Sequence, residues 1–179
     1  LLTWYQYWHT TLDTSDAPCW KWFVGGKINA SYNCVDRHLS KHRNKAAIIY
    51  VPEPEDEPHT VLTYQELYVR VNEFAALLRD FAGLEAGDRV TIHLPMVPEL
   101  PITMLACARL GVIPSVVFGG FSGRSAGERV ADSGSRVLIT MDGSTKVVES
   151  IAPEPRPAPW DLREEVVIGV EDGDEAYML

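Results

Sequence analysis

The segment VVFGGFSGR (116–124) combines residue types suited to holding an anion. An apolar, β-branched run leads into Gly119 and Gly120, then Phe121, then Ser122, a residue that caps helices. Paired glycines let a backbone approach closely, and the N-terminus of a helix favours a phosphate or carboxylate. At the carboxyl end of a strand in an α/β sheet, this is where ligands bind. The string is neither G-x-G-x-x-G nor G-x-x-x-x-G-K-[ST]. The residues alone therefore leave two readings open: a phosphate-contacting loop, or a simple tight turn.

Other candidates are weaker. His38 and His42 stand at i, i+4, a spacing some metal pairs use, but no Glu follows His38 and Lys41 and Arg43 flank the second. A solvated helix face is the expectation. Asp36 and Arg37 read as a helix-start charge and its surface neighbour. His93 falls inside a strand pattern, where a core histidine with a hydrogen-bonded ring is expected. No Ser/His/Asp set and no pair of carboxylates has supporting context. Cys19, Cys34 and Cys107 form an odd set without C-x-x-C spacing, so a reducing interior is expected rather than zinc or disulfides.

The elements that would position these residues follow a rhythm. AAIIYV (46–51) reads as a strand, and PEPEDEPHT as an acidic turn. Thr63 with Glu66 forms a capping box that opens a helix with Leu67, Val71, Phe74 and Leu78 on one stripe and Gly83 past its end. RVTIHL (89–94) is the next strand, Pro98 to Leu110 a helix stopped by Gly111, and VIPSVVF (112–118) a strand. Ser122 to Ser133 is a third, weaker helix, and RVLIT (136–140) another strand. Three strand–helix–strand units in succession predict an α/β fold with a doubly wound, mostly parallel sheet. After Thr140 the rhythm fails: PEPRPAPW (153–160) reads as a stiff linker and VVIGV (166–170) as one more strand. Before Lys45, Trp4, Trp8, Trp20 and Trp22 stand with Tyr5, Tyr7 and Phe23 in an aromatic lead-in. Its rings are expected to lie buried across a body, an exposed partner patch being the alternative. The organisation expected is thus a lead-in over 1–44, an α/β subdomain over 45–143, and a divergent linker and acidic tail over 144–179.

The chain has 179 residues, 46% hydrophobic and 23% charged, which excludes disorder and suits one domain. Its net charge of −9 argues against nucleic acid, which needs clustered Lys and Arg. Residues 161–179 hold seven acids and one base, so they carry −6, and residues 1–160 only −3. ITMLACARLGVIPSVVFGGF (102–121) is long enough to span a bilayer, but Arg109, Gly111, Pro114 and the glycine pair favour a buried helix, turn and strand. No membrane association and a cytoplasmic location are expected. Leu1 is no natural start, and both ends read as cuts or replacements.

Longer strings narrow the field. WFVGGKINASYNCVDRHL (22–39), LTYQEL (62–67), GDRVTIHLPMVPE (87–99) and MLACARLGVIPSVVFGGFS (104–122) resemble the acetyl- and propionyl-CoA synthetase branch of the AMP-forming acyl-CoA synthetase (adenylate-forming) superfamily. The likeness runs in order from about Leu2 to Gly143. It implies an N-terminal fragment of a ligase that joins acetate to CoA through acetyl-adenylate, with ATP and Mg²⁺ used and AMP and pyrophosphate released. The phosphate loop, the adenine segment, the hinge and the domain with the catalytic Lys follow later in that family, so the fragment is expected to be inactive alone, with no catalytic residue and no metal ligand of its own.

By the same resemblance, Gly119, Gly120, Phe121, Ser122 and Lys146 are the expected cofactor-binding residues on the CoA side. Lys146 stands where the family has the first Arg of a CoA-phosphate grip, and Glu149 where it has the second. Lys keeps the charge without the bidentate fork, and Glu reverses it. Arg124 replaces a common acid, and Gly127 weakens its helix by about 1 kcal/mol. Acetate, ATP and CoA are the implied small-molecule partners, and no protein partner is indicated. Against this reading stand a complete, non-catalytic CoA- or nucleotide-binding or interaction module, and an unrelated nucleotide-binding α/β protein such as an oxidoreductase. The lack of G-x-G-x-x-G after any strand argues against the last.

Overall fold

A computed structural model describes residues 1–141 and the backbone of two further strands, 166–170 and 176–178. The chain opens with a hairpin, β1 (Thr10–Asp13) and β2 (Lys21–Val24), then a short helix α1 (Ala30–Cys34), a 3₁₀ turn (Asp36–His38) and α2 (Leu39–His42). A second hairpin follows, β3 (Ala46–Tyr50) and β4 (Thr60–Thr63), and leads directly into α3 (Tyr64–Ala76). The alternation proper is β5 (Arg89–Leu94), α4 (Glu99–Leu110), β6 (Ile113–Phe118), α5 (Gly123–Ser133) and β7 (Val137–Met141). Strands β8 (Val166–Val170) and β9 (Ala176–Met178) complete a five-stranded sheet of order β6-β5-β7-β8-β9. The first four are mutually parallel, and β9 runs antiparallel to β8.

This is the α/β sheet expected, with one unit fewer. The strand at 46–50 pairs antiparallel with Thr60–Thr63 and lies in its own two-stranded sheet. The acidic turn brings the chain straight back, and Thr-Val-Leu-Thr, rich in β-branched residues, supplies the returning strand before the helix cap.

Strand order explains the winding. β6 lies on one side of β5, and the chain then crosses back over β5 to place β7 on its other side. Two right-handed crossovers in opposite directions put α4 and α5 on opposite faces. On the α4 face, Val90, Ile92, Leu94, Val137 and Ile139 pack with Ile102, Ala106 and Cys107 of α4 and Leu67, Val71 and Ala75 of α3 in one continuous core. On the α5 face the described residues give a smaller apolar cluster, Val117 with Ala126, beside the buried Val130 and Leu138.

Local signals hold where geometry demands them. Thr63 and Glu66 form both bonds of the capping box, the Thr63 N–H donating to Glu66 at 2.7 Å and the Glu66 N–H to the Thr63 hydroxyl at 3.2 Å. Gly111 ends α4 in the left-handed conformation, at φ +77°, a region open chiefly to glycine. The helix after Thr63 does not run cleanly to Gly83: its last turn widens into a π turn over Leu77–Phe81.

Candidate functional site

The glycine segment lies at the carboxyl end of β6. Gly119 and Gly120 turn the chain, the Phe121 N–H donates to the Phe118 carbonyl at 3.0 Å, and α5 begins at Gly123. Ser122 caps the helix, its hydroxyl accepting the Ser125 N–H at 3.3 Å, while its carbonyl accepts the Ala126 N–H at 2.9 Å. The N–H groups of Gly123 and Arg124 have no intrahelical acceptor by helix geometry. Gly119, Gly120, Phe121 and Ser122 are therefore brought together, as expected. Lys146 and Glu149 lie outside the described residues.

The two glycines do different jobs. A Cβ on Gly119 would sit 3.0 Å from the Leu94 carbonyl oxygen and 3.1 Å from the Pro95 nitrogen, so the turn is pressed against the end of β5. The close approach is to the chain's own backbone. A Cβ on Gly120 would meet only the Phe118 ring, at 2.6 Å, a side chain that is 65% exposed and free to swing.

Two residues outside the expected binding set, Phe118 and Arg129, shape the site. Phe118 and Phe121 are both exposed and stand edge to face with centroids 5.9 Å apart. The Arg129 guanidinium lies 4.5 Å over the Phe121 ring and donates to the Ser125 hydroxyl at 2.6 Å. Arg124 pairs with Glu128 at 3.3 Å. The exposed Phe118 ring, the Phe121 ring with the Arg129 guanidinium over it, and the start of α5 can receive a ligand with a planar ring and an anionic group. Phe118 was legible only as the last residue of a strand, and Arg129 needed the helix turn to place it beside Ser125.

Beneath the turn, His93 is 2% exposed and Thr140 is 2% exposed, and they face each other in register across β5 and β7. His93 is in the core, but its ring is not hydrogen-bonded as expected: neither ring nitrogen, nor the Thr140 hydroxyl, has a partner among the described residues. Its sheet neighbour on the other side is Val117, which offers no polar group.

The segment GGKINASYNCVDRH works as a clasp. Asn29 caps α1 through the Tyr32 N–H at 3.1 Å and donates to the Ala108 carbonyl at the end of α4 at 2.8 Å. Asn33 both accepts from the Thr3 N–H at 2.7 Å and donates to the Thr3 carbonyl at 2.9 Å. Asp36 is more than a helix-start charge: Arg109 forks onto both its oxygens, and the same guanidinium lies 5.5 Å from the centre of the Tyr68 ring. Arg37 donates to the Leu1 carbonyl at 2.7 Å. His38 and His42 have ring centroids 6.3 Å apart, and His38 accepts from Arg37 and stacks near Tyr64. Among the described residues no three His, Cys, Asp or Glu side chains gather as a metal site would require.

The lead-in corrects an expectation. Trp4 and Trp8 are half-buried and cluster with each other and with Phe23, but Tyr5, Tyr7, Trp20 and Trp22 are 58 to 71% exposed. A two-stranded hairpin has too few partners to cover that many rings. Among the described residues no helix is long and apolar enough to cross a membrane.

Residues 35–177 match the family described as AMP-binding enzyme, and residues 1–34 match the one described as acetyl-coenzyme A synthetase N-terminus. The first match runs on past Gly143, where the recognisable strings stop. Among curated relatives, an acetyl-coenzyme A synthetase of Pyrobaculum aerophilum is 51% identical over 148 residues, covering 79% of this chain and 22% of the relative. An acetyl-coenzyme A synthetase of Methanothrix soehngenii is 49% identical over 141 residues, 78% of this chain and 21% of the relative. A 3-hydroxypropionyl-coenzyme A synthetase of Sulfurisphaera tokodaii is 50% identical over 143 residues, 79% of this chain and 21% of the relative. The chain thus spans about a fifth of the length of the relatives it matches. With the glycine turn, the clasp and the parallel sheet accounted for, the chain belongs to the AMP-binding enzyme family, and its lead-in is of the acetyl-coenzyme A synthetase type.

Proposed function

We infer that this chain is the N-terminal part of an AMP-forming short-chain acyl-CoA synthetase, contributing the CoA side of the site. The observation that carries this is the exposed turn Gly119–Ser122 at the mouth of the parallel sheet, bordered by Phe118, Phe121 and Arg129. CoA offers both features such a surface receives, a purine ring and phosphates. Identity is as high to a 3-hydroxypropionyl- as to acetyl-coenzyme A synthetases, so this segment holds what those enzymes share rather than the choice of acyl group. Acetate is the substrate in most of the similar proteins by name and is the substrate we assign. ATP and Mg²⁺ would serve adenylation in the whole enzyme, which needs donors and a metal on the phosphates. No step of that half-reaction is assigned to the described residues. A cytoplasmic location agrees with the free thiols of Cys19, Cys34 and Cys107.

Calorimetric titration of the chain with CoA tests the reading. Saturable binding is expected, weakened about tenfold or more by Phe118→Ala with Phe121→Ala, the order of a lost aromatic stack. Absence of binding by CoA would remove the assignment of the turn. Acetate-dependent ATP–pyrophosphate exchange by an enzyme carrying this segment at full length tests the activity, and its absence would remove the ligase reading. A non-catalytic interaction module is favoured by one feature alone, the exposed rings of Tyr5, Tyr7, Trp20 and Trp22. It would be preferred if the chain bound neither CoA nor AMP.

A further inference from the structure

We propose that α5 and the glycine turn form a separately opening unit, hinged at the C-terminal end of α5 and held loosely over the turn by the unpaired His93 and Thr140 beneath it. The two ends of α5 are tied differently. At its C-terminal end, Arg89 of β5 donates to the Ser133 and Gly134 carbonyls at 3.0 and 3.4 Å. There too the Thr91 hydroxyl bonds that of Ser135 at 2.9 Å, and Ser135 meets Ser133 at 2.7 Å. Toward the turn, among the described residues, every side-chain bond stays within the unit: Ser122 to Ser125, Arg129 to Ser125 and Phe121, and Arg124 to Glu128. Among the described residues that half meets the sheet through Ala126, packed on Val117, and through Gly119 against the end of β5.

His93 follows Thr91 by two residues on β5, so it faces α5 as Thr91 does, one step nearer the turn. It is flanked by Val117 and Thr140, its register partners. A neutral imidazole carries one donor and one acceptor, and Thr140 adds a hydroxyl. All three groups are buried and unpartnered among the described residues. Closing α5 over them strands polar groups that water would satisfy, whereas opening it restores those bonds. The closed state is thereby weakened locally, at the site end of the helix.

Native-state amide exchange on the chain tests this. Thr140→Val removes one stranded hydroxyl at nearly constant shape, and His93→Leu approaches the same pair from its other side, so a folding defect in either leaves the other to decide. The expected result is exchange slowed roughly tenfold over residues 123–131, from removing one buried unsatisfied group, with β5 and α4 amides unchanged. Exchange in α5 that stays at the wild-type rate or quickens would overturn the proposal, as would slowing spread evenly over the sheet. The link to a ligand rests on the CoA reading: added CoA is expected to protect the same residues in the wild-type chain. If CoA leaves them unchanged while Thr140→Val protects them, the opening unit stands and the CoA reading falls.

Discussion

The two faces of the central sheet are built from the same strands and behave as different materials. Toward α3 and α4, β5 and β7 present Val90, Ile92, Leu94, Val137 and Ile139, all between 0 and 2% exposed and joined in one core. Toward α5 the alternate positions of the same strands present Thr91, His93, Leu138 and Thr140. One face is closed by dispersion and the hydrophobic effect. Among the described residues the other is closed by hydroxyl pairs at one end and, toward the turn, by the small contact of Val117 with Ala126. A period-two strand lets one sequence write both. The difference places rigidity behind the sheet and adaptability at the end where the turn lies.

Chemical access gives the largest expected contrast. Cys107 lies on α4 within the apolar face, and burial pushes its thiol up to about 12, while Cys19 and Cys34 are exposed. At pH 8 a thiol near 12 is thiolate to about one part in ten thousand, against about a quarter for an ordinary thiol near 8.5. Alkylation followed by mass spectrometry is expected to label Cys19 and Cys34 promptly and Cys107 about a thousandfold more slowly. Prompt labelling of Cys107 in the native chain would break the comparison, since the supposedly closed face would then be open.

Urea denaturation measures the faces directly. Ile92→Ala, at a fully buried position in the large core, is expected to cost about 2–5 kcal/mol. Val130→Ala, on the buried side of α5 and outside the large apolar core, is expected to cost about 1 kcal/mol. Equal losses would show that the α5 face is packed as firmly as the other.

The glycine pair sharpens the comparison at the turn. Gly119→Ala sets a methyl group 3.0 Å from the Leu94 carbonyl oxygen, an overpacking against backbone expected to cost about 1–3 kcal/mol and to displace the turn. Gly120→Ala meets the exposed Phe118 ring rather than backbone and is expected to change stability by less than about 0.5 kcal/mol. Thermal unfolding with CoA titration of both variants checks the pair. The reverse order would mean that Gly120, not Gly119, sets the approach to β5.

What the residues announced and what they hid divide along the same line. Caps and stops were readable because they depend on a few adjacent side chains: Thr63 with Glu66, Gly111, and Ser122 all act where expected. The strands at 89–94 and 166–170 were readable because β-branched apolar runs rarely serve elsewhere. The hairpin partner of 46–50 was not, since a four-residue strand buttressed by a helix cap carries no period of its own. The clasp was hidden for a different reason. Asp36 and Arg109 are 73 residues apart, and nothing local marks an Asp as the partner of an Arg at the far end of another helix. Likewise His93 reads as core by pattern, but whether its nitrogens find partners depends on β7, which the strand's own residues do not record.

The smallest expected effect belongs to the firm face and is read by acid. Glu66 accepts the Thr63 N–H and then the Thr63 hydroxyl, and those bonds hold its carboxyl below the usual carboxylate range. A carboxyl depressed in the folded chain stabilises it above the unfolded value, near 4.3, and loses that contribution as pH falls through the lower folded value. Helix α3 is therefore expected to weaken as pH drops below about 4.3, the range in which an unfolded Glu takes up its proton. Glu66→Gln is expected to remove that part of the acid dependence in a urea midpoint measured against pH. Because Glu66 is fully open to solvent, the change is small and confined to the start of α3. An acid transition of the same size in wild type and Glu66→Gln would mean that the start of α3 is held by its Leu67 and Val71 contacts alone. The apolar face would then need no cap to stay closed.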